Sequence, residues 1–376
     1  MIKAVITGTG VYVPPNKISN EELVQSFNTY VREYNKTHAD EIAAGTVPAA
    51  LESSAEFIVK ASGVESRYVM EKAGILDPAI MCPQNLERET EAISIQAEMC
   101  VAAAKDAMAR AGVTAEDIDL VICSCANLQR AYPAIAIEVQ DLLGATGFAF
   151  DMNAACSSAT YGLKAARDAI LSGSAKTVLM VNPEICTGQM NFRDRESHFI
   201  FGDACSAVII QNAEVAKAKR QFEIKDVQLV SKFSNNIRNN GGFLNRTTKM
   251  SEHAKDKLFV QQGRRVYKDV VPMVSAFILA QLGQNKLTPG DMKRFWLHQA
   301  NAHMNTAILE RILGEAAAEG VAPIILNEFA NTSSAGSIIA FHRNNEDLGS
   351  GDFGVLCSFG AGYTVGSVIL QCHIKA

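Results

Sequence analysis

The chain has 376 residues, 48% of them hydrophobic and 20% charged, which excludes a disordered, fibrous or membrane-embedded protein. Its 35 Lys and Arg against 40 Asp and Glu give a net charge of −5, so no strong positive field exists to hold nucleic acid. Nine scattered cysteines match neither a disulfide framework nor a CxxC zinc site, and the first residues carry no signal-peptide pattern, which predicts a reducing compartment.

In chain order, Ala4–Ile6 reads as a strand entering a tight turn at Gly8-Thr9-Gly10. That GxG is a weak nucleotide signal, because a third glycine and a following helical pattern are missing and Pro14-Pro15 come next. Residues 28–55 and 70–90 are polar and longer than ordinary connections, as expected of insertions that line a site or an interface. Ile93, Ala97, Cys100, Ala104, Ala107 and Ala111 then recur at helical spacing, with Gly112 as the stop. Leu120–Ser124 reads as a short apolar strand, Pro133–Leu143 as a helix, Phe148–Asp151 as a strand, and Ser157–Ser172 as a helix ended by Gly173. Val178–Val181 and Ala207–Ile210 are further strands. The alternation predicts an α/β fold with a mostly parallel, buried sheet covered by helices. The longest apolar run, around Val270–Leu282, is too short to span a bilayer and contains Pro272.

The second half repeats the plan. Thr114-x-x-Asp117 precedes a strand ending at Ala126-Asn127, and Thr288-x-x-Asp291 precedes one ending at Ala300-Asn301, each pair offset by 174 residues. Ser157-Ser158-Ala159 recurs as Ser333-Ser334-Ala335 at an offset of 176. Three matches in order predict a duplicated domain, with halves 1–215 and 221–376 joined in the charged stretch Glu214–Arg220.

Cys156, in Asn153-Ala154-Ala155-Cys156-Ser157-Ser158, falls between a strand and a helix. Unpaired N–H groups and the helix dipole at such a junction favour thiolate over thiol. The other eight cysteines read as small buried hydrophobes. His298 ends the strand Phe295–Leu297, where α/β sheets present functional groups. Asn331 opens the second Ser-Ser-Ala helix, either as a helix cap or, through the duplication, as a group facing Cys156. Ser358-Phe359-Gly360-Ala361-Gly362 is either a plain hairpin turn or a loop whose N–H groups meet an oxyanion.

These segments resemble the thiolase superfamily and, within it, the β-ketoacyl-acyl-carrier-protein synthase III family, over nearly the whole chain. The resemblance rests on Ala154-Ala155-Cys156-Ser157-Ser158, His298-Gln299-Ala300-Asn301, Asn331-Thr332-Ser333-Ser334-Ala335, Phe359-Gly360-Ala361-Gly362 and Phe201-Gly202-Asp203. It implies a thiolase-like duplicated αβαβα layered fold with mixed, mostly parallel sheets, in a cytoplasmic homodimer. It also implies a decarboxylating Claisen condensation of an acyl-CoA primer with malonyl-acyl-carrier protein, with no metal and no cofactor. Cys156 would take the acyl group, and His298 and Asn331 would stabilise the enolate. The N–H of Ala361 would serve an oxyanion, and Phe359 would shield the site from water. Phe57 and Ala61 stand where the family has a Trp and an Arg of its CoA adenine clamp, while Arg195 matches the other clamp Arg. His303 replaces an Arg that often follows the His motif. Lys268 matches an entrance Lys, and Tyr132 resembles an aromatic that closes the neighbouring subunit's acyl pocket. The two insertions suggest a primer longer than acetyl.

Residues 246–268 carry Arg246, Lys249, Lys255, Lys257, Arg264, Arg265 and Lys268 against Glu252 and Asp256. The run is either a solvated helix face or a docking patch for the acidic carrier protein. Three other readings stay open. A non-decarboxylating thiolase would use a second Cys near the C-terminal loop, where Cys357 sits one residue early. A Cys-His-Asn hydrolase would keep the order Cys156, His298, Asn331. An inactive acyl-carrier-binding homologue would have lost one of the three, and none is lost.

Overall fold

The computed structural model describes residues 2–85, 88–89, 91–242 and 257–375. Its first strand, β1 (Ala4–Tyr12), runs straight through Gly8-Thr9-Gly10, where the sequence predicts a tight turn. The glycines serve close approach instead. A Cβ at Gly8 would lie 2.1 Å from the Ala107 carbonyl oxygen, and one at Gly10 would lie 2.1 Å from that of Ala103. A helix backbone therefore rests directly on the strand.

Residues 28–55, expected as an excursion, begin inside α1 (Asn20–Thr37). This helix is started by Ser19 and Glu22 in a reciprocal capping box. Then come α2 (Ala55–Ser62) and α3 (Ile95–Ala111), the helix that packs on β1. The described part of 70–90 holds one short helix, Ala73–Leu76. The first half continues as β2 (Leu120–Ser124), α4 (Ile135–Leu143), β3 (Phe148–Met152), α5 (Ser158–Leu171), β4 (Thr177–Ile185) and β5 (Asp203–Asn212). The second half runs β6 (Arg220–Ser234), α6 (Gly263–Gln284), β7 (Met292–Leu297), α7 (Ala302–Leu313), α8 (Ala335–Arg343), β8 (Phe353–Gly360) and β9 (Gly362–Ile374).

Among the described residues, nine strands join in one mixed sheet, ordered β7-β8-β9-β6-β1-β5-β4-β2-β3. The parallel pairs lie towards its two ends, β7 with β8, and β2 with β4 and β3. The pairings between them are antiparallel. Each half shows the same series: β2 parallel to β4, then antiparallel steps to β5 and β1; β7 parallel to β8, then antiparallel steps to β9 and β6. The two series meet at β1 and β6. Both capping boxes recur as well, with Thr114 N–H donating to Asp117 at 2.8 Å and Thr288 N–H donating to Asp291 at 2.7 Å.

Period-two alternation sorts the side chains into layers. Leu120, Ile122, Val178, Met180, Val368 and Leu370 face a central cluster built around α5 and α8. Val121, Cys123, Leu179 and Val181 face α3 and α4 on one outer side. Val355, Cys357, Val365 and Ile369 face α6 and α7 on the other. The result is five layers, α-β-α-β-α, with α5 and α8 enclosed. Helix α6 extends the predicted apolar run to 22 residues and passes through Pro272. By length and composition alone it could cross a membrane; here Val266, Val270, Val274 and Ile278 pack it onto β8, β9 and α7.

Candidate active site

The two enclosed helices begin beside each other, and their entry loops carry the chemistry. Cys156 lies two residues before α5, after Ala155, whose φ is +50°. Asn331, Thr332, Ser333 and Ser334 precede α8, and Ser333 has φ +49°. Left-handed backbone at non-glycine residues costs about 1–3 kcal/mol each and clusters at functional sites. His298 follows β7 directly, and its N–H donates to the Cys357 carbonyl at 2.8 Å. These elements converge on one cavity of about 310 Å³ lined by Cys156, His298, Asn331, Phe359 and Gly360. The rest of its wall is largely apolar, including Phe199, Phe201, Phe259, Val266, Val270 and Met304.

Gly360 closes on Cys156: a Cβ there would lie 2.6 Å from Cys156 Cβ and 3.1 Å from its sulfur. The segment 358–362 is a tight hairpin, with Ala361 alone between β8 and β9. Phe359 meets the His298 ring edge to face, with centroids 5.1 Å apart. Asn331 is 5% exposed, and its Oδ1 accepts the Ser333 N–H at 2.8 Å. The NH2 end of the amide is thereby left for the cavity.

The electrostatics correct the expected thiolate. Burial pushes the Cys156 thiol up to about 11, and the Glu184 carboxyl pushes the same way. The Ser333 hydroxyl and the N–H groups of Ala361 and Cys156 pull it down without prevailing. The helix-end effect is real, but desolvation is the larger force here. Cys156 still keeps partial exposure, towards the cavity, so its sulfur is reachable. Burial also lowers His298 to about 4, against the pull of the Ser333 backbone, so the imidazole is neutral at pH 7. The resting pair is therefore a neutral thiol with a neutral imidazole.

Phe57 lines the same cavity, and the Arg195 guanidinium stacks 4.1 Å from its ring. Arg195 Nε also donates to the Glu52 carbonyl at 2.8 Å. Ala61 lines the wall beside them. The His303 ring meets the Lys60 carbonyl at 2.9 Å, tying α7 to α2. Lys268 is exposed on α6 and does not line this cavity. Tyr132 is 85% exposed and lines a separate cavity with Arg88 and Arg130. Of the basic run, Arg246, Lys249, Glu252, Lys255 and Asp256 lie outside the described residues. Arg264 and Arg265 are exposed beside Lys268 at the start of α6. Cys357 is fully buried in the outer apolar cluster under α6 and α7, away from the cavity, and burial raises its thiol far above the ordinary range.

Sequence reasoning missed Glu184 and the contact of Ser333 with Cys156. Glu184 is fully buried on β4, and its Oε1 accepts the N–H of Ala126 at 2.9 Å, the N–H of Ser334 at 3.2 Å and the Ser334 hydroxyl. A carboxylate in a largely apolar strand buried on both faces was the available signal. Ser333 stood in the Ser-Ser-Ala repeat, but neither the bond from its hydroxyl to Cys156 nor its left-handed φ could be read from it.

Residues 150–232 match the family described as 3-oxoacyl-[acyl-carrier-protein] synthase III, and residues 282–372 match its C-terminal part. The chain is 58% identical over 350 residues to a β-ketodecanoyl-[acyl-carrier-protein] synthase of Pseudomonas aeruginosa, covering 93% of this chain and 100% of that one. It is 30% identical over 338 residues to a β-ketoacyl-[acyl-carrier-protein] synthase III of Brucella anthropi, covering 85% and 92%. The fold matches the crystal structure of 3-oxoacyl-[acyl-carrier-protein] synthase III from Aquifex aeolicus with a TM-score of 0.74 at 24% identity, covering 99% and 100%. It matches the synthase III of Pseudomonas aeruginosa with a TM-score of 0.76 at 22% identity, covering 100% and 99%. Fold, motifs and relatives agree: the chain belongs to the β-ketoacyl-acyl-carrier-protein synthase III family, whose members are thiolase-like condensing acyltransferases.

Proposed function

We propose that the protein joins a medium-chain acyl primer, delivered as its CoA thioester, to malonyl-acyl-carrier protein with loss of CO2. In the first step Cys156 Sγ attacks the primer's carbonyl carbon, and the N–H groups of Cys156 and Ala361 meet the oxyanion. The C–S bond to CoA breaks, and CoA leaves with the proton given up by the thiol. In the second step the malonyl C–C bond breaks, CO2 departs, and the electron pair forms an enolate of the thioester. The neutral imidazole of His298 and the Asn331 NH2 donate to its oxygen. The carbanion carbon then attacks the acyl-enzyme, and the Cys156 thiolate leaves and takes up a proton.

The observation that carries this reading is the single cavity shared by Cys156, His298, Asn331 and Phe359, largely apolar elsewhere. The β-ketodecanoyl name of the Pseudomonas relative supports the chain length, since a ten-carbon product less the two carbons from malonyl leaves an eight-carbon primer. A second cavity of about 840 Å³ runs beside Asn153 and Ala126, with Ile80, Met81 and Met190 in its wall. Residues 80 and 81 come from the expected insertion at 70–90, which therefore lines this separate cavity. Phe57, Arg195 and Lys268 would guide the CoA thioester and carrier protein to the mouth. Tyr132 would act on a second copy's pocket in a homodimer. We place the enzyme in the cytoplasm, in keeping with nine unpaired cysteines, and take residues 1–215 and 221–376 as its two duplicated halves.

A primer scan tests the proposal. Purified protein, malonyl-acyl-carrier protein and acyl-CoAs from two to fourteen carbons would be combined, with acyl-enzyme read by mass spectrometry. A maximum in kcat/KM near eight carbons is expected; a maximum at acetyl would overturn the chain-length assignment.

A further inference from the structure

The Cys156 loop belongs to the first half and the Asn331 turn to the second, yet both must face one substrate. A hydrogen-bonded path connects them. Asn153 Oδ1 accepts the Ala155 N–H at 2.8 Å, next to the nucleophile. Asn153 Nδ2 donates to the Ala126 carbonyl at 2.8 Å. The Ala126 N–H donates to Glu184 Oε1 at 2.9 Å, and that same oxygen accepts the Ser334 N–H at 3.2 Å and the Ser334 hydroxyl. Ser334 ends the turn in which Asn331 Oδ1 holds the Ser333 N–H.

Three donors, from both halves, thus meet on one carboxylate oxygen. No cation pairs with Glu184 among the described residues, and its Oε2 is buried without a partner. A buried acid held this way is costly, and an apolar side chain would pack there more cheaply unless the geometry were needed. Burial pushes the carboxyl up to about 7, against the downward pull of the Ser334 and Ala126 bonds.

We propose that Glu184 is a positioning residue for condensation: it pins the Asn331–Ser334 turn to the Cys156-bearing half and so aims the Asn331 amide at the enolate oxygen. The inference rests on the reading of Asn331 as an enolate donor. Glu184 acts through Ser334 and the turn and does not touch substrate.

The test separates the two steps. Acylation of Cys156 by octanoyl-CoA is timed by mass spectrometry, and condensation is timed with malonyl-acyl-carrier protein. Glu184→Asp withdraws the oxygen by one methylene, and a misplacement of that order is expected to lower condensation by about 10- to 100-fold. Acylation should stay within about threefold, because that step does not use Asn331. Glu184→Gln keeps an accepting oxygen and should stay within about threefold of wild type in both steps. In an Asn331→Ala background, Glu184→Asp should add little further loss, since the amide it aims is gone. Equal loss of both steps in Glu184→Asp, no loss in either, multiplicative losses in the double variant, or a large loss in Glu184→Gln would each overturn the proposal. If Asn331→Ala by itself slows acylation as much as condensation, the assignment of Asn331 fails instead.

Discussion

The entry to α5 and the entry to α8 are two versions of one device, loaded differently. Each loop bends through a non-glycine residue in the left-handed region, Ala155 at +50° and Ser333 at +49°, and each feeds a helix buried in the central layer. The first loop offers a thiol that is still partly open to the cavity. The second offers a carboxamide that is 5% exposed and locked to its own turn by the Ser333 N–H. The contrast fits the two tasks proposed for them. A nucleophile has to form and break a bond, so it keeps reach. A donor to a developing charge has to be in place beforehand, so it gives up freedom.

The strongest test of this division removes the thiol. Cys156→Ala is expected to abolish the acyl-enzyme mass shift and condensation with it; any residual acyl-enzyme at another residue would refute the nucleophile. The next puts a charge on the other side. Asn331→Asp opposes the enolate, so condensation should fall by about 100- to 1000-fold, the range for loss of one oxyanion donor, while acylation persists.

The seam between the loops can be read through stability. Desolvation raises Glu184 in the fold to about 7, above its range in the unfolded chain. As pH rises through that interval the unfolded state ionises first, so wild type loses stability relative to Glu184→Gln. Denaturant unfolding at pH 5 and pH 8 should show the Gln variant gaining on the order of 2–3 kcal/mol over wild type between them. The ionisable groups around this carboxyl are the thiols of Cys123, Cys125, Cys156 and Cys186, which the Gln variant leaves in place. His298, lowered by burial, works in the opposite direction at lower pH: its contribution is present above its unfolded value near 6.5 and is lost as pH falls towards 4. The smallest effect should come from crowding the thiol. Gly360→Ala puts a methyl 2.6 Å from Cys156 Cβ, so the hairpin must shift, at about 1–3 kcal/mol in stability and with slower acylation.

Much of this was legible in the chain. The apolar run Leu120–Ser124 was read as the strand it forms, because a short apolar run between turn signals leaves little freedom, although the repeat argument carried its end on to Asn127. The spacing of the two Thr-x-x-Asp boxes and the two Ser-Ser-Ala segments gave the internal repeat, since identical caps begin identical elements. Gly8 and Gly10 were misread as a turn because a glycine that lets a helix approach looks the same in sequence as one that bends the chain. Glu184 went unnoticed because its partners, Ala126 and Ser334, are 58 and 150 residues away.

Sequence alone determined which groups exist and what locally surrounds them: a Cys at a strand-to-helix junction, a His at a strand end, an Asn before a helix, and the periodicities that bury α5 and α8. Only the tertiary structure decided their ionisation and orientation. Proton affinity depends on how much water the packed layers exclude, and here that exclusion outweighs the helix end that the sequence advertises. Orientation depends on a carboxylate reaching across the seam between halves, and the pairing of residues 150 apart has no local signature.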